Sequence, residues 1–163
     1  MWPLGEHMIH IRLPAVSFGA VSALVTSVGL IIGFGAAGIP KITTIAGLLI
    51  LGLADNLTDS LSIHVYQESE RLEQHVALKS TIGNFMTRFA LATSFIAIVA
   101  ACSDVTIMFV SLAWGTLLLT GLTWLLAKSR GVNIKVEIFK HLAVASVVIA
   151  ISRIIGMTVS NYM

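Results

Sequence analysis

Residues Gly52–Glu70, GLADNLTDSLSIHVYQESE, place polar side chains in the middle of a chain that is otherwise strongly apolar. Asp55 and Asp59 are four residues apart, so both carboxylates lie on one face if this stretch is an α-helix. A single Asp at the centre of a membrane helix costs roughly 2.5–3.5 kcal/mol, so we expect these side chains to face the protein interior or a water-filled path. Helical spacing arranges them in two adjoining stripes, together called the polar seam: Asp55, Asp59, Ser62 and Tyr66 in one, and Asn56, Ser60 and His64 in the other.

The composition of the chain is that of a membrane protein. Of its 163 residues 56% are hydrophobic and 11% charged, with a mean hydropathy of +0.93, whereas soluble domains have about 25% charged residues. Leu13–Pro40 contains no charged residue over 28 positions and Val105–Ala127 none over 23, and about 20 residues span the hydrocarbon core. We therefore predict an integral, multi-pass protein of the lipid bilayer, which in a prokaryote would lie in the plasma membrane.

Charge and motif content exclude several other classes. The basic residues are scattered at the ends of apolar segments, so no nucleic-acid partner is expected. Cys102 is the only cysteine, which excludes an intramolecular disulfide. No phosphate loop, zinc motif or catalytic triad spacing is present, so we predict neither an enzyme nor a permanently bound cofactor.

The apolar segments predict an all-α fold, a single membrane domain over residues 1–163. Helix two is expected to leave the bilayer and continue in water toward Lys79, and Gly83 then separates it from helix three, which places Arg88 near the interface. Gly29 and Gly33 form a small-xxx-small pair that predicts close packing of helix one on a neighbour. The predicted spans are 15–38, 41–67, 84–102, 105–127 and 137–160.

The distribution of basic residues predicts the orientation of the five spans. With the N-terminus in the cytoplasm, eight Lys and Arg residues fall on the cytoplasmic side and only Lys41 falls outside, leaving aside Arg153 within a span. We therefore expect a cytoplasmic N-terminus and an external C-terminus. Arg153 lies at a different predicted depth from the aspartates, so it is expected to reach the outer face or to bond backbone carbonyls rather than to pair with them.

Two segments resemble the vacuolar iron transporter family, small five-helix carriers of divalent iron or manganese. GLADNLTDSLSIHVYQESE from Gly52 is similar to a family pattern like GLAxALSMAAGEYxSxxSQ, and GAVSALVTSVGLIIGFGAAG from Gly19 is similar to GANDGIVTTFGLVAGLAGAG. The chain differs at three positions that carry metal ligands in the family: Ser22 replaces an Asp, Asp59 a Met, and Ile63 a Glu. It resembles the short subfamily without the cytoplasmic helical domain, and the resemblance implies a homodimer that exports a divalent cation.

We hypothesise a site of oxygen ligands, which suit hard divalent cations such as Mn²⁺ and also Fe²⁺. Asp55 and Asp59 repel one another, which predicts that one is protonated without a cation and that a proton is exchanged for metal. The alternative is a non-transporting scaffold or assembly subunit whose seam only packs helices. The candidate metal ligands are Asp55, Asp59, Ser22, Ser62, Asn56 and His64; the residues that either collect cations at the cytoplasmic mouth or form a solvated helix face are Glu68, Glu70 and Glu73.

Overall fold

The computed structural model describes the backbone of residues 4–70 and 74–162, and the side chains of residues 19–70, 74–75 and 77–162. All secondary structure in these ranges is helical. The helices are α1 (Leu4–Ala36), α2 (Lys41–Ile50), a single π-helical turn (Leu51–Asp55), α3 (Asn56–Ser69), α4 (Gln74–Ala101), α5 (Asp104–Ser129) and α6 (Ile134–Ser160).

Among the described residues, five helical segments are long and apolar enough to cross a membrane. α2, the π turn and α3 run on without a break and form one of them. The predicted all-α fold with five helices of this length and apolarity is therefore confirmed, while the side on which each terminus lies stays a prediction. The segments are Gly19–Ala36, Lys41–Ser69, Ala77–Ala101, Asp104–Ser129 and Ile134–Ser160.

Short turns that suit their residues follow α1 and α5. Gly38 and Gly131 have positive φ angles of 71° and 65°, which glycine adopts without steric cost, and they follow the ends of α1 and α5. Asn133 caps α6, because its side-chain oxygen accepts bonds from the backbone N–H groups of Lys135 and Val136. Turns this short make successive spans antiparallel neighbours.

α1 is the central helix and packs on α4, α5 and α6 as well as α2. Its contact with α6 is made through glycine, because Gly156 lies directly against the carbonyl of Gly33. Gly29 faces the side chain of Ser152 on α6. The close packing predicted from the small-residue pair is confirmed, and α6 is the neighbour. The buried apolar core around α1 consists of Leu24, Val28, Ile31, Ile32, Leu48, Phe95, Val99, Ile107, Leu119 and Ala145.

The third span differs from its prediction in a way that changes the site. α3 ends at Ser69 and α4 begins at Gln74, so helix two does not continue to Lys79 and Gly83 lies within α4. One glycine inside a helix costs only about 1 kcal/mol, which the surrounding helix tolerates. Arg88 consequently lies at the middle of α4 and not near its end, and the predicted start of the third span at 84 was wrong.

The other boundaries differ less. α1 begins at Leu4 rather than at residue 15, so it passes through Pro14, which removes one backbone hydrogen bond without preventing helix on either side. α6 begins at Ile134, three residues before the predicted start at 137.

Candidate functional site

An arginine from α4 binds both aspartates of the polar seam. Arg88 Nη2 donates to Asp55 Oδ2 at 2.7 Å, and Arg88 Nη1 lies 2.5 Å from Asp59 Oδ2. The Arg88 side chain is 2% exposed, whereas those of Asp55 and Asp59 are 42% and 32% exposed. One guanidinium therefore serves two carboxyl groups from successive turns of the second span. We call these three residues the ion group.

The π turn brings the second span close enough to α4 for this contact. It covers Leu51–Asp55 and therefore ends at the first aspartate of the ion group. Within it, a Cβ on Gly52 would lie 3.1 Å from the Cβ of Ala92, so the two helices approach closely at this level. Single π turns inside α-helices occur often at functional sites, and this one precedes the residues that carry the charge.

α1 supplies the inner wall of the ion group through its backbone. The carbonyl of Gly19 accepts a 3.4 Å bond from Arg88 Nη1. A Cβ on Gly19 would overlap Asn84 Oδ1 and would lie 3.0 Å from Arg88 Cδ. Position 19 must therefore be glycine for α1 to reach the guanidinium.

We expect Gly19→Ala to lower the free energy of unfolding by about 1–2 kcal/mol, the usual cost of forcing an extra methyl into a packed site. Equilibrium unfolding in bicelles measures the effect. Asn84 provides the obstructing atom, so a double-mutant cycle with Asn84→Ala should give a favourable coupling of about 1 kcal/mol. Additive effects in that cycle would show that the methyl does not meet Asn84.

Amide and hydroxyl side chains join α3 to α4 along the rest of the seam. Each bond connects a buried or half-buried residue of one helix to the other helix, and such bonds strengthen helix association in lipid. They run from Asn56 Nδ2 to the carbonyl of Phe85 at 2.9 Å, from Asn84 Nδ2 to Ser60 Oγ at 3.3 Å, between Thr81 Oγ1 and His64 Nδ1 at 3.4 Å, and from Gln67 Nε2 to Ser80 Oγ at 2.8 Å.

The structure separates the predicted metal ligands into different surroundings. Asp55 and Asp59 lie together as predicted, and Asn56 is buried beside them with its amide donating to α4. Ser62 is exposed and donates to the carbonyl of Thr58 on its own helix. Ser22 is half-buried, and its carbonyl accepts a bond from a neighbouring threonine of α1.

The predicted cytoplasmic end of the seam contains a histidine and the acidic residues. His64 Nε2 lies 3.5 Å from Glu68 Oε1, one helical turn further along. Glu70 is exposed at the C-terminal end of α3. Glu73, the last of the three proposed cation-collecting residues, lies outside the described residues.

Neither a cluster of metal-ligating side chains among the described residues nor a similar known protein indicates the function of the ion group. Where side chains are described, no group of three or more His, Cys, Asp or Glu residues is close enough to hold a metal ion. Comparisons of the chain with family models, with curated proteins and with solved structures gave no match. The function of the ion group is therefore inferred from its own chemistry.

Arg88 is the main site residue that sequence reasoning missed. A third span beginning at 84 puts this arginine at the membrane interface, away from the aspartates. The signal that could have found it is a second polar stripe, since Ser80, Asn84 and Arg88 are spaced four residues apart and fall on one face of a helix. This stripe has the same period as the seam it binds. Arg153, the other arginine considered as a partner, is exposed on α6.

Proposed function

We propose that this protein moves a divalent cation of the Mn²⁺ or Fe²⁺ type out of the cytoplasm in exchange for protons, with Arg88 as a built-in counter-ion for the carboxylates that bind the cation. The observation that carries the proposal is the ion group. Ionisable side chains at mid-span are expensive in lipid and commonly mark ion and proton paths. Helix association alone needs only amides and hydroxyls, which the seam already provides between α3 and α4.

The chemistry of the ion group suits a hard divalent cation. Arg88 bonds to Oδ2 of both aspartates, and each carboxylate has a second oxygen, Oδ1, for a ligand. Both carboxylates are about a third or more exposed, so a cation can reach them from solvent. A divalent ion brings two positive charges where Arg88 supplies one, and it therefore competes with Arg88 for the same pair.

The proposal also covers the entry of the cation, the direction of transport and the family of the protein. Glu68, Glu70 and Glu73 would attract cations at the cytoplasmic mouth, with His64 between them and the aspartates. The export direction depends on the predicted cytoplasmic N-terminus. Membership of the vacuolar iron transporter family is proposed on the two sequence patterns that begin at Gly19 and Gly52.

Cation flux in proteoliposomes tests the proposal, and the variant must remove the ligands without leaving an unpaired buried charge. Asp55→Asn/Asp59→Asn/Arg88→Met meets this condition, since all three charges are removed together. We expect Mn²⁺ or Fe²⁺ uptake driven by a pH gradient in the native protein and a loss of more than about tenfold in the triple variant, as each charged contact is worth about 1.5–3 kcal/mol.

The matched control is Asp104→Asn, which removes an exposed carboxylate at the start of α5, away from the seam. Its flux should equal that of the native protein. Size-exclusion profiles and helical content confirm that each variant is folded and inserted. Absence of flux for every ion tested in folded native protein would contradict the transport proposal, and flux that ignores the pH gradient would replace exchange with a channel.

We also propose a homodimer, which would cover the exposed side of the second span. Ala54 and Leu57 lie there beside the ion group, and both are exposed in the single chain. With Cys102 replaced by Ser, Leu57→Cys should give an oxidant-dependent dimer on denaturing gels. Val147→Cys, exposed on α6, is the control and should stay monomeric. The reverse pattern would place the dimer contact on α6.

The alternative is a non-transporting scaffold or assembly subunit, and one observation favours it. Arg88 already compensates the aspartates, so the ion group is complete as a structural link between the second and third spans. Under this alternative the triple variant changes assembly while the native protein carries no cation. The flux experiment therefore separates the two proposals.

A further inference from the structure

A small cavity beside Arg88 is lined by residues of α1, the π turn, α3 and α4. Its volume is about 10 Å³, close to the minimum of about 10–15 Å³ that one water molecule needs. Asp55 of the ion group and Ser27 of α1 both line it. The residues that line it are Ala23, Thr26, Ser27, Leu51, Gly52, Asp55, Asn56, Arg88 and Ala92.

Three polar atoms of the cavity wall lack a hydrogen-bond partner among the described residues. They are Ser27 Oγ, Asn56 Oδ1 and Arg88 Nε. The three side chains are 0%, 1% and 2% exposed, so bulk solvent does not reach them. Buried polar groups of this kind almost always have a partner in folded proteins, and a bound water commonly supplies it.

The hydrogen-bond donors and acceptors of the cavity wall determine which kind of molecule can bind there. Arg88 Nε is only a donor and carries positive charge, which excludes a cation at this position. Asn56 presents its oxygen, because its amide nitrogen already donates to the carbonyl of Phe85. That oxygen and the carboxylate of Asp55 exclude an anion. A neutral molecule that both accepts and donates fits all of them.

We infer that this cavity is a binding site for one water molecule, which accepts a hydrogen bond from Arg88 Nε and donates to Asn56 Oδ1 and Ser27 Oγ. The water orients Arg88, since it holds the Nε edge of the guanidinium while Nη1 and Nη2 bind the aspartates. It also ties α1 to the ion group at a second level, beyond the Gly19 carbonyl. This inference does not depend on cation transport.

Solid-state NMR of the protein in lipid bilayers tests the site through Arg88. The chain has five arginines, and the Nε–H signal of Arg88 is identified as the one lost in Arg88→Lys. We expect magnetisation transfer from water to this Nε–H in the native protein. Ser27→Val fills the cavity with methyl groups and should abolish the transfer, and Ser27→Ala, which removes one partner without adding bulk, should reduce it.

Ser111→Val is the matched control, because Ser111 on α5 is an equally buried, unpartnered hydroxyl outside the cavity. Its transfer should equal that of the native protein. Absence of transfer in the native protein would overturn the inference. Transfer in both Ser27 variants equal to that of the native protein would also overturn it. Water that reaches Arg88 only from the exposed carboxylates gives the second result. The readout needs no cation, so a failed flux experiment leaves it unaffected.

Discussion

Replacing both aspartates by Asp55→Asn/Asp59→Asn is expected to lower the free energy of unfolding by about 3–5 kcal/mol. The double variant leaves the guanidinium of Arg88, which is 2% exposed, buried without an opposite charge. Asparagine oxygens still accept hydrogen bonds, but they do not neutralise the charge. Equilibrium unfolding in bicelles, followed by helical circular dichroism, measures the loss.

Adding Arg88→Met to the double variant should restore most of that stability. Methionine fills much of the same volume without charge, and a buried ion pair replaced by apolar side chains is often neutral or stabilising. Arg88→Met alone should be milder than the double aspartate variant, because the carboxylates it leaves unpaired are 42% and 32% exposed. A double variant as stable as the native protein would show that burial of the Arg88 guanidinium does not depend on its contacts with the aspartates.

The loss of stability expected when Arg88 is left without an opposite charge also affects the transport experiment. Loss of flux in the double aspartate variant would have two explanations, missing ligands or an unfolded site. The charge-neutral triple variant separates them, because it lacks the ligands and keeps the span packing. Its stability and its flux together decide between transport and scaffold.

Gly156→Val should lower the free energy of unfolding by about 3 kcal/mol, at the upper end of overpacking effects. A Cβ at this position would overlap the carbonyl oxygen of Gly33 and would lie 3.0 Å from the Cβ of Ala36. The obstacle is backbone on the central helix, so α6 must move away as a whole. Unfolding in bicelles gives the magnitude.

Gly121→Val is the control for this prediction. Gly121 is a mid-helix glycine of α5, and a Cβ at this position would have no neighbouring atom within 4 Å, so the added side chain meets only open space. Its effect should stay within about 1 kcal/mol of zero, because valine is a slightly better helix former than glycine. Equal losses in the two variants would show that close packing of α1 on α6 is not the cause.

Local sequence was enough to predict the spans and to locate the seam. Apolar length against bilayer thickness predicts five helices able to cross a membrane, and five such helices are found among the described residues. The pair Gly29 and Gly33 predicts a close helix contact, since only small side chains let two backbones approach. The four-residue spacing of Asp55 and Asp59 places both carboxylates on one face, which follows from helix geometry alone.

The partner of the aspartates depended on the tertiary structure. Arg88 is separated from Asp55 by 33 positions, and its position along the helix follows from the start of α4 at Gln74. The start of a helix within a charged stretch is poorly defined by composition, because Gln, Glu and His residues suit both helix and turn. A start at 84 puts Arg88 at an interface, whereas a start at 74 puts it at mid-span.

Packing also determined what lies around the ion group. The polar seam by itself indicates that charged side chains face the protein interior or a water-filled path. It does not indicate which groups pair with them, because hydrogen bonds between helices depend on the relative rotation and depth of the helices. Gly19 reaches Arg88 and Ser27 lines the cavity beside it only because α1 packs at the centre of the bundle. Periodicity thus determined where the charges are placed along each helix, and the packing of three spans determined which charges and polar atoms meet.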